Sequence, residues 1–122
     1  MTPVDPMAVA VDWLDAYRAA RINQMVGMYS RDAVIECACG ERKIIHGQEE
    51  IAAYWRDRFI ASPALELEEL FMDGGAVALS YRTSSGIVQA LLDVTTDGLI
   101  NRCAVVPRNA EHCRFLPVNI QF

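Results

Sequence analysis

From Leu65 to Val106 the hydrophobic residues of this chain keep a period of two, whereas before Pro63 most of them keep the period of a helix. That division limits the folds open to it. A helical stripe and a strand face each leave water only against another layer, so helices from the first half must close over a sheet built largely from the second. In the second half Leu65 and Leu67 alternate with Glu66 and Glu68, Asp73-Gly74-Gly75 turns the chain, and Val77, Leu79, Tyr81 and Thr83 resume the alternation. Ser84-Ser85-Gly86 and Thr95-Thr96-Asp97-Gly98 bound two further strands, about 87–94 and 99–106. Four strands joined by short turns make an antiparallel meander.

The helical half has its own punctuation. Asp5-Pro6 is a helix start, because the Asp oxygen accepts from a free amide and proline at the first helical position forfeits no internal hydrogen bond. Ala10, Trp13, Leu14 and Tyr17 form the apolar stripe of this first helix. Ile22, Met25, Val26 and Tyr29 repeat the spacing and predict a second, shorter helix that stops around Ser30-Arg31-Asp32. A strand over 33–39, a turn at Gly40-Glu41-Arg42 and a short return through Lys43-Ile44-Ile45 follow. After His46-Gly47, Glu49 and Glu50 sit where a helix N-terminus favours negative charge, and Ile51, Tyr54, Trp55, Arg58 and Phe59 define a third helix.

With 122 residues, 52% of them hydrophobic and 22% charged, the chain is sized for one core. Residues 1–106 are expected to form the domain and 107–122, where the pattern stops, a tail or a flap over a pocket. A net charge of -5 with scattered basic residues argues against nucleic acid as a partner. Without a basic, apolar leader or a run of roughly 20 apolar residues, the expectation is a cytoplasmic protein with no membrane partner. Cys37, Cys39, Cys103 and Cys113 then read as reduced thiols. The strand from Ile87 to Val94 has apolar residues on both faces: Val88, Ala90, Leu92 and Val94 on one, Ile87 and Leu91 on the other. Helices are expected to cover one face and a second copy of the chain the other, giving a homodimer through the outer sheet face.

The order helix, helix, hairpin, helix, four strands resembles the nuclear-transport-factor-2-like superfamily, which includes ketosteroid isomerases and SnoaL-type polyketide cyclases. The resemblance is carried by Met28-Tyr29-Ser30-Arg31-Asp32-Ala33-Val34-Ile35-Glu36, by Ile45-His46-Gly47-Gln48-Glu49-Glu50-Ile51 with Tyr54-Trp55, and by Asp97-Gly98-Leu99-Ile100. It implies an α+β cone, a cystatin-like roll in which three N-terminal helices pack on a strongly curved, mainly antiparallel sheet. It also implies a pocket between that sheet and the first and third helices, suited to binding or transforming a small hydrophobic metabolite. Cyclase, isomerase or hydrolase activity is what the resemblance allows; a non-catalytic binding or dimerisation module with a side-chain-filled cavity is the rival.

In ketosteroid isomerases the pocket holds a carboxylate base on the first strand, a tyrosine donor on helix one and a protonated acid on the fifth strand. By resemblance these positions fall at Cys37, Trp13 and Ala90. Proton transfer beside a carbonyl needs a base and donors aimed at the oxyanion, and the loss of one donor costs about 3–4 kcal/mol of barrier. Ala90 donates nothing, so that reaction is not expected here.

The expected pocket wall comprises Trp13, Tyr17, Tyr29, Cys37, Trp55, Phe59, Ala90 and Cys103. Arg58, Arg82 and Arg102 are the cations expected to look inward, where a guanidinium fork suits a carboxylate, and His46 is a further polar group beside the third helix. Each has a plainer reading, as a solvated surface arginine or a structural loop histidine. Cys37 and Cys39 share a strand face at a spacing unlike that of zinc sites, and even with Cys103, His46 or His112 nearby neither a metal nor a cofactor is expected. Glu36, Glu69 and Asp93 fall by parity on the face away from the pocket.

Overall fold

The computed structural model describes residues 4–39, 41–84 and 86–107. The expected tail, with His112 and Cys113, lies outside the described residues apart from Pro107. Among the described residues the order is α1 (Pro6–Ala19), α2 (Ile22–Gly27), β1 (Tyr29–Cys39), β2 (Glu41–His46), α3 (Gln48–Ala61), β3 (Ala64–Asp73), β4 (Ala76–Thr83), β5 (Gly86–Val94) and β6 (Ile100–Pro107). The α+β architecture read from the sequence is the one observed.

Local chemistry places the boundaries. Asp5 Oδ1 accepts from the Met7 amide at 3.0 Å with Pro6 opening α1, as the sequence predicts. α1 ends where Ala20 enters the left-handed region, its amide returning to the carbonyls of Ala16 and Tyr17. Glu49 and Glu50 occupy the first turn of α3, and Glu50 Oε1 also accepts from the His46 amide at 3.3 Å. Gly47, between β2 and α3, has φ of 92°, a conformation costly for any residue with a Cβ.

The strands form one open sheet in the order β2-β1-β6-β5-β4-β3. The meander from β3 to β6 is antiparallel throughout, and among the described residues the one parallel pairing, β1 with β6, joins the N-terminal hairpin to it. Register breaks interrupt β1, β3 twice and the β5–β6 ladder. Such bulges raise local twist and bend a sheet, so the helices find a concave face to close over.

α1 lies over β3, β4 and β5, α3 over β1 and β2, and α2 touches both helices and β1. Their apolar stripes meet the inward residues Ala33 and Ile35 of β1, Val77, Leu79 and Tyr81 of β4, Val88, Ala90 and Leu92 of β5, and Cys103 and Val105 of β6, all buried in one core. Among the described residues no helix is long and apolar enough to cross a membrane.

One element differs from its sequence reading. Tyr29, expected in the second helix, begins β1 instead, and α2 stops at Gly27. The apolar spacing does run on from Ile22 to Tyr29, but the Ile100 amide donates to the Met28 carbonyl at 2.8 Å and Tyr29 pairs with Ile100 across the parallel ladder. A distant strand thus overrides a local helical period.

Candidate functional site

The inner side of the cone has an apex and a rim, both built from the helix stripes. At the apex the rings of Trp13, Tyr17, Trp55 and Tyr81 meet edge to face, with centroids 5.0–5.9 Å apart. All four are essentially inaccessible to water. Buried beside them, the Tyr29 hydroxyl accepts from Trp13 Nε1 at 2.9 Å and from Trp55 Nε1 at 3.2 Å. A phenol oxygen has two acceptor positions and one donor proton. The indoles fill the first two, and the proton faces the Cys103 thiol.

Burial governs the ionisation of this group. It raises Tyr29 and Tyr81 well above the ordinary tyrosine value, and it pushes the Cys103 thiol up to about 12. A thiol held neutral in this way is neither a nucleophile nor a metal ligand at neutral pH. Its plain reading as apolar filler is the one its surroundings support.

The rim is formed by the partly buried residues of α3 that flank Trp55 and by the adjoining inner face of β1. Cys37, Tyr54 and Phe59 are partly buried and packed against the core, and Arg58 is half-buried among them. Phe59 stacks at a tilt on Tyr17, 6.0 Å away, and Tyr54 meets Trp55 edge-on at 5.0 Å. Tyr17 donates its hydroxyl proton to the Ser62 carbonyl at 2.5 Å, tying α1 to the end of α3. Burial raises its pKa despite the nearby Arg58 charge.

The Tyr54 hydroxyl differs from those of Tyr17 and Tyr29, being enclosed with no nitrogen or oxygen partner and only the Cys37 thiol close by. Burial, and then the nearby Cys37, raise its pKa well above the ordinary value, so it is a neutral O–H donor. Burial works against the charge on Arg58, but the surrounding Tyr54 and Tyr17 more than offset it, and the guanidinium stays protonated.

The polar residues picked out in the sequence separate cleanly. Arg82 and Arg102, expected to look inward, point outward. Arg82 Nε pairs with Glu68 Oε2 at 2.9 Å and Arg102 Nη2 with Glu36 Oε2 at 3.0 Å, all on the exposed side of the sheet. The reason is parity: Arg82 follows inward Tyr81 and Arg102 precedes inward Cys103. Glu36, read as facing away from the pocket, does so. His46 is exposed at the end of β2, opposite Val34. Of the basic candidates, Arg58 alone lies on the inner side.

Trp13, Ala90 and Cys37, the positions that correspond to isomerase machinery, all sit on the inner side, yet the Trp13 N–H is already engaged by Tyr29 and Ala90 is fully buried without a donor. Sequence reasoning missed Tyr81, Tyr54 and Ser62. For Tyr81 the period-two alternation of β4 was a sufficient signal, and for Tyr54 the i, i+4 spacing to Arg58. Ser62 takes part through a backbone carbonyl, which leaves no trace in sequence.

Against known proteins, the SnoaL-like domain family matches residues 10–111. A SnoaL-like protein of unknown function from Burkholderia thailandensis superposes with a TM-score of 0.71 at 18% identity, covering 82% of this chain and 92% of that one. A proposed ketosteroid isomerase from Kribbella flavida gives 0.72 at 19% identity, with 88% and 85% covered. A proposed polyketide cyclase from Sinorhizobium meliloti gives 0.68 at 21% identity, with 80% and 93% covered. At such identities the likeness establishes the fold alone. No curated protein matches the chain.

Proposed function

This chain belongs to the SnoaL-like domain family, and from that premise we propose that it binds a small hydrophobic molecule over the aromatic floor of Trp13, Tyr17, Trp55 and Tyr81. The observation that carries the reading is the gradient of burial on the inner side. Burial is complete at the apex and incomplete at Cys37, Tyr54, Arg58 and Phe59, so apolar surface and polar groups converge at one rim. Binding is favoured over isomerisation of the ketosteroid kind, because Trp13 has no free N–H and Ala90 offers none.

Both tryptophans of the chain lie in the floor, so intrinsic fluorescence reports on the site. Titration with methyl 4-phenylbutyrate, a neutral aromatic ester, is expected to give a saturable change in tryptophan emission. An unchanged spectrum up to the solubility limit of the ester contradicts the reading. It would favour the rival, a module whose cavity its own side chains fill, for which the mutual contact of the four floor rings speaks.

The outer face supports self-association. Phe71, beside Ala78 in the ladder, is 44% exposed and Ile44, beside Glu36, 60% exposed on that face, which leaves large apolar side chains open to a partner. We place a homodimer contact there, in a cytoplasmic protein whose Cys37 and Cys103 are free thiols. A monomeric mass by sedimentation at micromolar concentration refutes the dimer.

A further inference from the structure

We propose that Arg58 and Tyr54 form an anion-holding end to this site, and that its ligand is a monocarboxylic acid with an apolar or aromatic body. The inference rests on the binding reading above. Of the three arginines that sequence singled out, Arg82 and Arg102 are taken by Glu68 and Glu36 on the outer face. Arg58 is different. It is half-buried on the inner side, and among the described residues it makes no ion pair. Its strongest electrostatic neighbours are Tyr54, Tyr17, Cys37 and Tyr81 rather than any acid.

Tyr54 supplies an independent observation. It stands one helical turn before Arg58 on α3, and its hydroxyl is enclosed with no nitrogen or oxygen partner, only the Cys37 thiol near it. Buried hydroxyls are normally satisfied, and one with only a weak thiol acceptor, beside a cation that makes no ion pair among the described residues, marks a place prepared for a stronger acceptor. A carboxylate meets both demands. Its two oxygens match the guanidinium fork, and a third donor, the Tyr54 O–H, reaches the same group. One guanidinium with no ion pair among the described residues, its nearest polar contact being the neutral Tyr17 hydroxyl, balances a single negative charge, which favours a monocarboxylate over a phosphate or a diacid. The ligand body then lies on the Phe59 side, where a partly exposed ring packs on Trp55.

The test compares 4-phenylbutyrate with its methyl ester on the full chain at pH 7, by calorimetry and by tryptophan emission. The acid is expected to bind at least tenfold more tightly than the ester. Arg58→Gln should erase that advantage, so that acid and ester bind this variant equally, and Tyr54→Phe should narrow the acid-to-ester ratio by about threefold to tenfold; thermal melts check that both variants are folded. Equal affinity of the unmodified chain for acid and ester overturns the anion clamp and leaves the hydrophobic site standing. So does an acid preference that survives both substitutions. If neither compound binds, the clamp and the underlying binding reading fall together.

Discussion

Tyr29 and Tyr54 are both tyrosines with buried hydroxyls on the inner side of one cone, and the structure treats them in opposite ways. Tyr29 has two N–H donors on its oxygen and a thiol facing its proton. Tyr54 has no N–H donor on its oxygen, only the Cys37 thiol near its proton, and beside it stands an arginine that makes no ion pair among the described residues. At the apex the two indole N–H groups and the Tyr29 hydroxyl satisfy one another within the fold, as in a region that holds the protein together. The rim keeps donors in reserve, which costs stability and is explicable as a cost met for binding.

The contrast is tested first where the expected effect is largest. Trp55→Ala removes a fully buried ring from the apex and one of the two donors to Tyr29, and a loss of about 3–5 kcal/mol of unfolding free energy is expected from the cavity alone. Urea denaturation measures it, and a loss below about 1 kcal/mol would make the apex as loose as the rim.

Alkaline pH gives the next largest effect. Cys103 has its folded-state value raised from 9.0 to about 12, so its contribution is fully present below pH 9 and is lost as pH rises toward 12. The sign follows because the unfolded chain releases the proton first. Stability at pH 10 should be lower than at pH 8 by about 1.4 kcal/mol from this thiol, at one pH unit above its unfolded value. The buried tyrosines Tyr29, Tyr54 and Tyr81, raised in the same direction, steepen the fall only above pH 10. Replacing Cys103 with Ala should flatten the stretch between pH 9 and 10, and an unchanged slope would locate the effect elsewhere.

At the rim the expected effect on stability is small. Arg58→Gln deletes a half-buried charge without an ion-pair partner among the described residues, and a change within about 0.5 kcal/mol of zero is predicted by the same denaturation assay. A loss of several kcal/mol would mean that Arg58 is structural and would blur the division between the two regions.

Much of this was legible in the sequence, for reasons that are local. Asp5 and Pro6 announced α1, the glycines at 74 and 98 took the positive φ that their turns need, and alternation from Leu65 onward drew the meander. Tyr29 was misread because the pairing that draws it into the sheet comes from Ile100, far along the chain. The outward turn of Arg82 and Arg102 was available from parity, since each neighbours a core residue on its own strand; charge and composition alone do not orient a side chain. What no pattern could tell was that the Tyr54 hydroxyl, like those of Ser30 and Ser80, is buried without a nitrogen or oxygen partner. Tyr29 and Tyr54 differ in the company that three separate helices and strands bring to each, and that company exists only once the chain has closed.

The central claim is therefore tested most directly by one matched pair, Tyr29→Phe and Tyr54→Phe, each removing a single buried hydroxyl, compared by urea unfolding at pH 7. Tyr29→Phe should lose about 2–4 kcal/mol, because two buried indole N–H groups forfeit their acceptor, while Tyr54→Phe should be neutral or slightly stabilising. Equal losses at the two positions would contradict the account, since the apex and the rim would then be built alike.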